Sequence, residues 1–172
     1  MNRPGETAVP PVVFAAAAGA VQVALARRSR PSRRSVVAAV PVAGFACWLL
    51  GDALVQFRRA GTTVDPISPD HVSALVVGGA NRLSRNQMYL GMAAALLAHA
   101  VARRSPAALA PVSGFVAVLT AGQIAAEERA LTDRFGDAYV RYRQDVPRWV
   151  DVRSIISGLT QLVRRPRRRA GR

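Results

Sequence analysis

The sequence predicts an all-α integral membrane protein, and two observations favour this fold class. Four apolar stretches, separated by polar or arginine-rich segments, are long enough or nearly long enough to cross a bilayer. Hydrophobic residues make up 51% of the chain, yet its formal net charge is +14 and all 24 basic residues are arginine. A soluble nucleic-acid-binding protein can be this basic, but it would not carry several uncharged stretches of membrane length. Nucleic acid is therefore not an expected partner.

The apolar stretches define the expected helices in chain order. The first covers residues 8–26 and the second covers residues 36–57, with an arginine-rich loop between them. The third, residues 88–102, is short for a perpendicular span, so we expect it to begin earlier, within the polar segment that precedes it. The fourth covers residues 107–126, and the short connector from Arg103 to Pro106 makes the third and fourth stretches an antiparallel hairpin.

The C-terminal segment has a pattern of its own. Apolar residues follow helical spacing from Val152 to Val163, and a run of arginines comes after them. An amphipathic helix with a basic tail fits the surface of a leaflet that contains anionic lipid, so such lipid is an expected partner. We therefore divide the chain into two N-terminal transmembrane helices (residues 1–57), a candidate catalytic region with the hairpin (58–150), and a cytosolic helical cap with its basic tail (151–172).

Two polar clusters flank the predicted hairpin. Their members are charged, amide or aromatic side chains at the ends of apolar stretches, namely Arg82, Arg85, Asn86 and Tyr89 in the first cluster and Glu127, Glu128, Tyr139 and Tyr142 in the second. Because a hairpin returns the chain to the side that it left, we expect both clusters to close one site at a membrane face. Charged groups are costly to desolvate there without partners, which implies a ligand or buried counter-charges.

At these residues the chain resembles the isoprenylcysteine carboxyl methyltransferase and phospholipid methyltransferase superfamily, integral membrane enzymes that use S-adenosylmethionine. The resemblance covers the segments 57–66 and 79–91, continues through Glu127 and Glu128, and ends at Arg148 and Trp149. It implies an S-adenosylmethionine pocket that faces the cytosol, formed by the last two spans and the segment behind them. It also implies a lipophilic or lipid methyl acceptor that reaches the pocket from the bilayer.

The chain departs from the usual pattern of that superfamily at two positions. Gly79 to Arg82 reads Gly-Ala-Asn-Arg where relatives usually read Gly-Pro-Tyr-Arg, and Gln87 stands where they have a proline before Met-Tyr. Losing a proline removes a fixed φ angle and restores a backbone donor. We expect either a less rigid loop or a third helix that begins one residue earlier.

The chemistry of the two clusters matches the polar groups of S-adenosylmethionine. Arg82 and Arg85 are three residues apart, and on one helical turn either can bind the carboxylate in a forked pair. The first N–H groups of the third helix, near Asn86, add an anion site. Glu127 and Glu128 point about 100° apart on a helix, so we expect one to bind the ribose or the ammonium and the other to meet an arginine. Arg82, Arg85 and Glu128 are the catalytic candidates.

Aromatic residues complete the predicted cofactor site, and plainer interpretations stay open beside it. Tyr89, Tyr139 and Tyr142 can face the sulfonium in cation–π contacts, although the last two also fit interfacial aromatics. Asp52, inside the second stretch, is expected to pair with an arginine near the interface. Cys47 is the single cysteine, which excludes an internal disulfide and a cysteine-rich zinc site, and no metal is expected.

Three functions remain open at the level of sequence. The first is methyl transfer to a carboxylate, amine or thiol of a lipophilic molecule. The second is lipid or sterol reduction with NADPH, because membrane reductases place their cofactor on a similar C-terminal helical scaffold. The third is a non-enzymatic membrane protein that retains the fold.

The arginine distribution predicts the orientation in the membrane. Seventeen arginines fall on the side of the predicted site and seven on the other side, which places the site and both termini in the cytosol and the protein in the plasma (inner) membrane. The five arginines of the first loop then lie outside, against the rule for short loops.

Overall fold

A computed structural model describes residues 9–59 and 79–151, apart from the side chains of Phe57 and Arg59. The elements of these residues are α1 (Pro11–Leu25), α2 (Arg33–Arg59), α3 (Gln87–Arg103), α4 (Leu109–Ala121), α5 (Gln123–Phe135), α6 (Asp137–Asp145) and two 3-10 turns (Gly79–Arg82 and Pro106–Ala108). These described ranges contain helices and no strand, which confirms the prediction of an all-α fold. The predicted amphipathic helix and tail, and most of the 57–66 motif, lie outside the described residues.

Hydrogen bonds at the two ends of α3 establish that its neighbours run against it. Near the start of α3, Asp52 at the C-terminal part of α2 accepts a hydrogen bond from the Ala80 N–H at 2.9 Å. At the other end, the Ser35 hydroxyl at the start of α2 donates to the carbonyl of Ala102 at 2.9 Å. Helices α2 and α3 are therefore antiparallel.

Helices α3 and α4 form the predicted antiparallel hairpin. Its closed end is the connector in which Arg104 adopts a left-handed conformation, with φ of 53°, and the Ser105 N–H donates to the carbonyl of Ala100 at 3.2 Å. At the open end, Tyr89 of α3 meets Glu127, which lies beyond α4 on α5. α3 begins at Gln87, one residue before the predicted boundary.

Buried Gln22 holds α1 against this hairpin. Its side-chain amide donates to the carbonyls of Leu96 and Ala108, at 3.0 and 2.7 Å, and its oxygen lies 3.2 Å from the Nδ1 atom of His99. Every polar atom of the fully buried amide therefore has a partner, as burial requires. One polar residue in an apolar stretch thus fixes the position of α1.

Helices α2 and α3 pack closely against each other at Gly91. A Cβ atom at this position would lie 2.9 Å from Leu50 Cγ and 3.2 Å from Leu49 Cβ, which is closer than carbon atoms normally approach. Glycine therefore lets the two helices pack with their backbones near each other, as small residues do in membrane helix pairs. The hydrophobic core lies between α3, α4 and α5 and contains Tyr89, Phe115 and Ile124.

Two helical runs in the described residues are long and apolar enough to cross a membrane. They are Arg33–Gln56, with 24 residues, and Pro106–Phe135, with 30 residues, and most of each run faces outward from the bundle. α1 is a shorter apolar helix of 15 residues, and α3 has 17 residues. By length and composition, the described residues therefore contain two candidate spans of the four predicted from the sequence.

Candidate functional site

The segment before α3 is fixed to α2 by a carboxylate. Gly79 has φ of +59°, and a Cβ atom there would lie 2.6 Å from Asp52 Oδ2, so both its conformation and its surroundings require glycine. Asp52 also accepts a hydrogen bond from the amide of Gln56, whose oxygen accepts one from the Asn81 side chain at 3.0 Å. Among the described residues the partners of Asp52 are the Ala80 N–H and the Gln56 amide, so the predicted pairing with an arginine stays a prediction.

Glu128 lies at the centre of the site between two arginines. Arg148 forms a forked pair with it, from Nε to Oε1 at 2.9 Å and from Nη2 to Oε2 at 2.5 Å. Arg85 Nη1 lies 2.9 Å from Oε1, and the side chains of Arg85 and Glu128 are each 9% exposed. Such charge-assisted pairs are strong and geometrically specific. Glu128 is thus the glutamate of the pair that meets arginine.

Arg85 also joins the segment before α3 to the segment after α6. Its Nε donates to the carbonyl of Val146 at 2.9 Å, and its backbone N–H donates to the carbonyl of Pro147 at 3.0 Å. The Ser84 hydroxyl and the Asn86 amide both donate to the carbonyl of Arg148, at 3.0 and 2.9 Å. The two segments, some sixty residues apart in the chain, are therefore tied by hydrogen bonds to the main-chain carbonyls of residues 146–148.

Arg82 and Arg85 do not share a helical turn, contrary to the prediction from their spacing. Arg82 ends the 3-10 turn and is exposed, and α3 begins only at Gln87. Arg85 instead donates to the carbonyls of Val146 and Pro147, and its backbone N–H makes no hydrogen bond within a helix. The site therefore contains Arg85 in its interior, with Arg82 at its rim.

Glu127, next to Glu128, has a different environment. It accepts hydrogen bonds from the hydroxyl of Tyr89 and from the amide of Gln123, the latter at 2.9 Å. Within the described residues both ion pairs of the site end on Glu128, and neither Arg85 nor Arg148 bridges to Glu127. The two adjacent carboxylates therefore point to different partners, as their angular separation predicts.

Tyr139 and Tyr142 are both bonded within the site. Tyr139 is buried and its hydroxyl accepts a hydrogen bond from Arg85 at 3.3 Å, while the Tyr142 hydroxyl donates to the carbonyl of Asn81 at 2.7 Å. Burial raises the pKa of both tyrosines above the usual value, so their hydroxyls stay protonated at neutral pH. Their ring centroids lie 6.1 Å apart.

The sequence analysis missed two members of the site. Arg148 belongs to the matched motif but was not predicted as a binding residue, although it makes the forked pair with Glu128. Trp149 covers the junction of α4 and α5, where its indole N–H donates to the Thr120 hydroxyl at 3.0 Å. The clue available in the sequence was the end of the resemblance at these two residues.

The side-chain oxygen of buried Gln87, at the start of α3, has no hydrogen-bond partner among the described residues.

Comparison with known proteins adds a relative from Haemophilus influenzae. No family model matches the sequence, and no solved structure matches it. The relative, described as an uncharacterized protein, is 41% identical over 63 residues, which are 37% of this chain and 100% of the relative. The chain belongs to the family of this Haemophilus protein.

Proposed function

We propose that the chain is an integral membrane methyltransferase that uses S-adenosylmethionine and acts on a lipophilic acceptor. The proposal rests on one observation: two adjacent carboxylates at the end of an apolar helical bundle have partners of different charge. Glu128 is neutralised by Arg85 and Arg148, whereas the hydrogen-bond donors to Glu127 among the described residues, Tyr89 and Gln123, are neutral. Such a site offers both a positive and a negative surface to a zwitterionic ligand.

The described side chains fit the polar groups of S-adenosylmethionine. Two guanidinium groups on one carboxylate leave an excess positive charge, and the side chain of Arg148 is 37% exposed, so it can also reach a ligand carboxylate. Glu127 suits an ammonium or ribose hydroxyls because its partners within the described residues are neutral. Tyr89 is buried beside Glu127, and its hydroxyl holds that carboxylate in place. When bound, S-adenosylmethionine supplies a methyl group activated by its sulfonium.

The chain's own residues would bind and orient the reactants. Transfer by in-line displacement depends on holding donor and acceptor in contact, so a rigid pocket contributes to the rate. Arg85 and Glu128 would hold the pocket in shape, because they pair with each other and Arg85 also donates to the carbonyl of Val146. Arg82 at the rim and Asn86 at the start of α3 stay candidate ligand contacts. The acceptor group, a carboxylate, amine or thiol, is left open.

The membrane arrangement that accompanies this function has four spans. At about 1.5 Å per residue, α1 and α3 are about 22 and 25 Å long, and short flanking segments bring them near the thickness of a hydrocarbon core. Exposed apolar side chains such as Val12, Val37, Val40 and Trp48 support a lipid-facing surface on α1 and α2. We place the site on the cytosolic side of the plasma (inner) membrane, where S-adenosylmethionine is made, in agreement with the arginine count.

Isothermal titration of the purified full chain in detergent tests the proposal. We expect S-adenosylhomocysteine to bind and NADPH not to bind, because the carboxylates suit ribose hydroxyls and an ammonium better than a 2′-phosphate. Binding of NADPH alone would favour the reductase. Binding of neither ligand, by a chain whose circular dichroism is helical, would favour a non-enzymatic membrane protein.

A further inference from the structure

The end of the bundle opposite the candidate site carries a group of exposed arginines. They come from the loop after α1, the start of α2 and the end of α3, and we call them the arginine collar: Arg27, Arg28, Arg30, Arg33, Arg34 and Arg104. Six like charges at one end of a small bundle repel one another unless anions are near.

The chain supplies no counter-charge to the arginine collar from the surrounding segments. Neither residues 9–51 nor residues 79–126 contain an aspartate or a glutamate. Within the described ranges the carboxylates begin with Asp52 at the site end of α2 and resume with Glu127 on α5, so they lie at or beyond the site end of the bundle. A negative partner for the collar must therefore come from outside the described part of the chain.

The backbone that carries the arginine collar is held in place by specific hydrogen bonds. Half-buried Arg103 donates from Nη2 to the carbonyl of Ala26 at 2.7 Å, which ties the end of α3 to the end of α1. At the start of α2, the Ser32 hydroxyl accepts from the Ser35 N–H at 3.1 Å and the Ser35 hydroxyl accepts from the Ser32 N–H at 2.9 Å. This reciprocal cap fixes the helix start. The collar is thus a preorganised surface.

An exposed apolar surface begins directly beside the arginine collar. Leu25, Val36, Val37, Val40 and Leu109 lie within a few residues of collar positions or of the α3–α4 connector, and each is between 44% and 61% exposed. A partner that fits both surfaces needs an anionic head and an apolar body. A nucleic acid or an acidic protein segment would match the charge and leave the valines uncovered.

We propose that the arginine collar is a binding site for acidic phospholipid. The headgroup phosphate lies among the guanidinium groups, which bind phosphate in forked pairs, and the acyl chains lie along the exposed valines. The site is at the leaflet opposite the candidate catalytic site and is separate from the C-terminal tail. It shares with the proposed function only the membrane setting, because no methyl donor takes part. Bound lipid would also neutralise the positive charge of the loop between α1 and α2. In the proposed orientation this arginine-rich loop lies outside, against the rule for short loops.

Titration of lipid into the purified full chain in a neutral detergent tests this site. Binding is followed by native mass spectrometry and by the thermal unfolding midpoint, with phosphatidylglycerol compared against phosphatidylcholine. We expect phosphatidylglycerol to bind at least tenfold more tightly, to raise the midpoint, and to lose this advantage in 0.5 M salt, in line with screening of an exposed charged site.

The variants locate the binding to one end of the bundle. The triple variant Arg27→Gln, Arg28→Gln, Arg30→Gln should bind phosphatidylglycerol at least tenfold more weakly, with an unchanged midpoint in phosphatidylcholine. The control removes the same charge from exposed arginines of α5 and α6, through Arg129→Gln, Arg134→Gln and Arg141→Gln, and should retain the affinity. Equal losses in both variants, or equal binding of the two lipids, would overturn the proposal, and so would displacement of the lipid by millimolar inorganic phosphate.

Discussion

The two ends of this bundle use the same residue type in opposite ways. At the site end, Arg85 is almost buried and shares a carboxylate with Arg148. At the other end, the arginine collar is exposed, and the chain segments around it contain no carboxylate. Burial with a counter-charge makes an arginine part of the folded interior, whereas exposure without one leaves it available to an external anion. The arginines behind the net charge of +14 therefore include two kinds, those paired within the fold and those exposed to an external anion.

The largest expected effect comes from breaking the ion cluster of the site. Glu128→Gln leaves Arg85 without its compensating charge in a setting where its side chain is 9% exposed. Removing one partner of a buried ion pair costs about 3 kcal/mol. We expect a clear fall in the thermal unfolding midpoint, measured by circular dichroism in detergent. Asp133→Asn, at an exposed position of the same helix, and Arg28→Gln in the arginine collar should leave the midpoint unchanged. A similar fall in all three would remove the contrast between the ends.

A second substitution acts on the packing that joins the two ends. Gly91→Ala places a Cβ atom 2.9 Å from Leu50 Cγ and forces α2 and α3 apart. Overpacking of this kind costs about 1 to 3 kcal/mol. Gly44→Ala on α2 is the matched control, because a Cβ atom there meets nothing within 4 Å. We expect the first variant to lower the unfolding midpoint and the second to maintain or raise it, as alanine favours helix. If both behave alike, the close approach at Gly91 is not a constraint.

A third substitution separates the two glutamates of the site. Glu127→Gln keeps an oxygen that can accept from Tyr89, so it should fold normally. Under the proposed function it removes the charge that meets the ammonium or ribose, and affinity for S-adenosylhomocysteine should fall by tenfold or more, about 1.4 kcal/mol. Titration calorimetry measures the affinity and circular dichroism measures the stability. Equal small effects of Glu127→Gln and Glu128→Gln on binding would contradict the assignment.

The smallest expected effect compares a buried glutamine from each end. Gln87 has an unpartnered oxygen within the described residues, and an unsatisfied buried acceptor costs about 1 kcal/mol or more. Gln87→Met, similar in volume, should therefore raise the unfolding midpoint slightly. Gln22→Met removes an amide whose atoms all have partners and should lower it. A fall in both variants would indicate that the Gln87 oxygen has a partner beyond the described residues.

The sequence predicts what depends on local pattern. Apolar length and the short connector before Pro106 predict α1 to α4 and the antiparallel hairpin, because both signals lie in consecutive residues. The predicted fourth stretch, 107–126, is divided at Gly122 into α4 and α5, and this break was not predicted. The angular separation of Glu127 and Glu128 on one helix predicted that they meet different partners, and this geometry is confirmed. The cofactor roles of these residues stay predictions.

What the sequence did not predict depends on contacts between distant segments. Arg82 and Arg85 were assigned to one turn because their spacing is helical, yet carbonyls sixty residues away hold the chain around Arg85 in an irregular form. The hydrogen bond from the Ala80 N–H to Asp52, which fixes the segment before α3, was not predicted either. No local sequence pattern specifies which distant donor reaches a given acceptor. For the same reason, the forked pair of Arg148 with Glu128 was not predicted.

The link between Glu128 and Arg148 sets limits on how this protein can change in length during evolution. The two residues are 20 positions apart, and between them the chain forms the end of α5, a turn at Gly136 with φ of +50°, and α6. One residue inserted into α6 would rotate everything after it by about 100° and carry Arg148 away from the carboxylate. Insertions and deletions among family members should therefore be rare between Glu128 and Arg148.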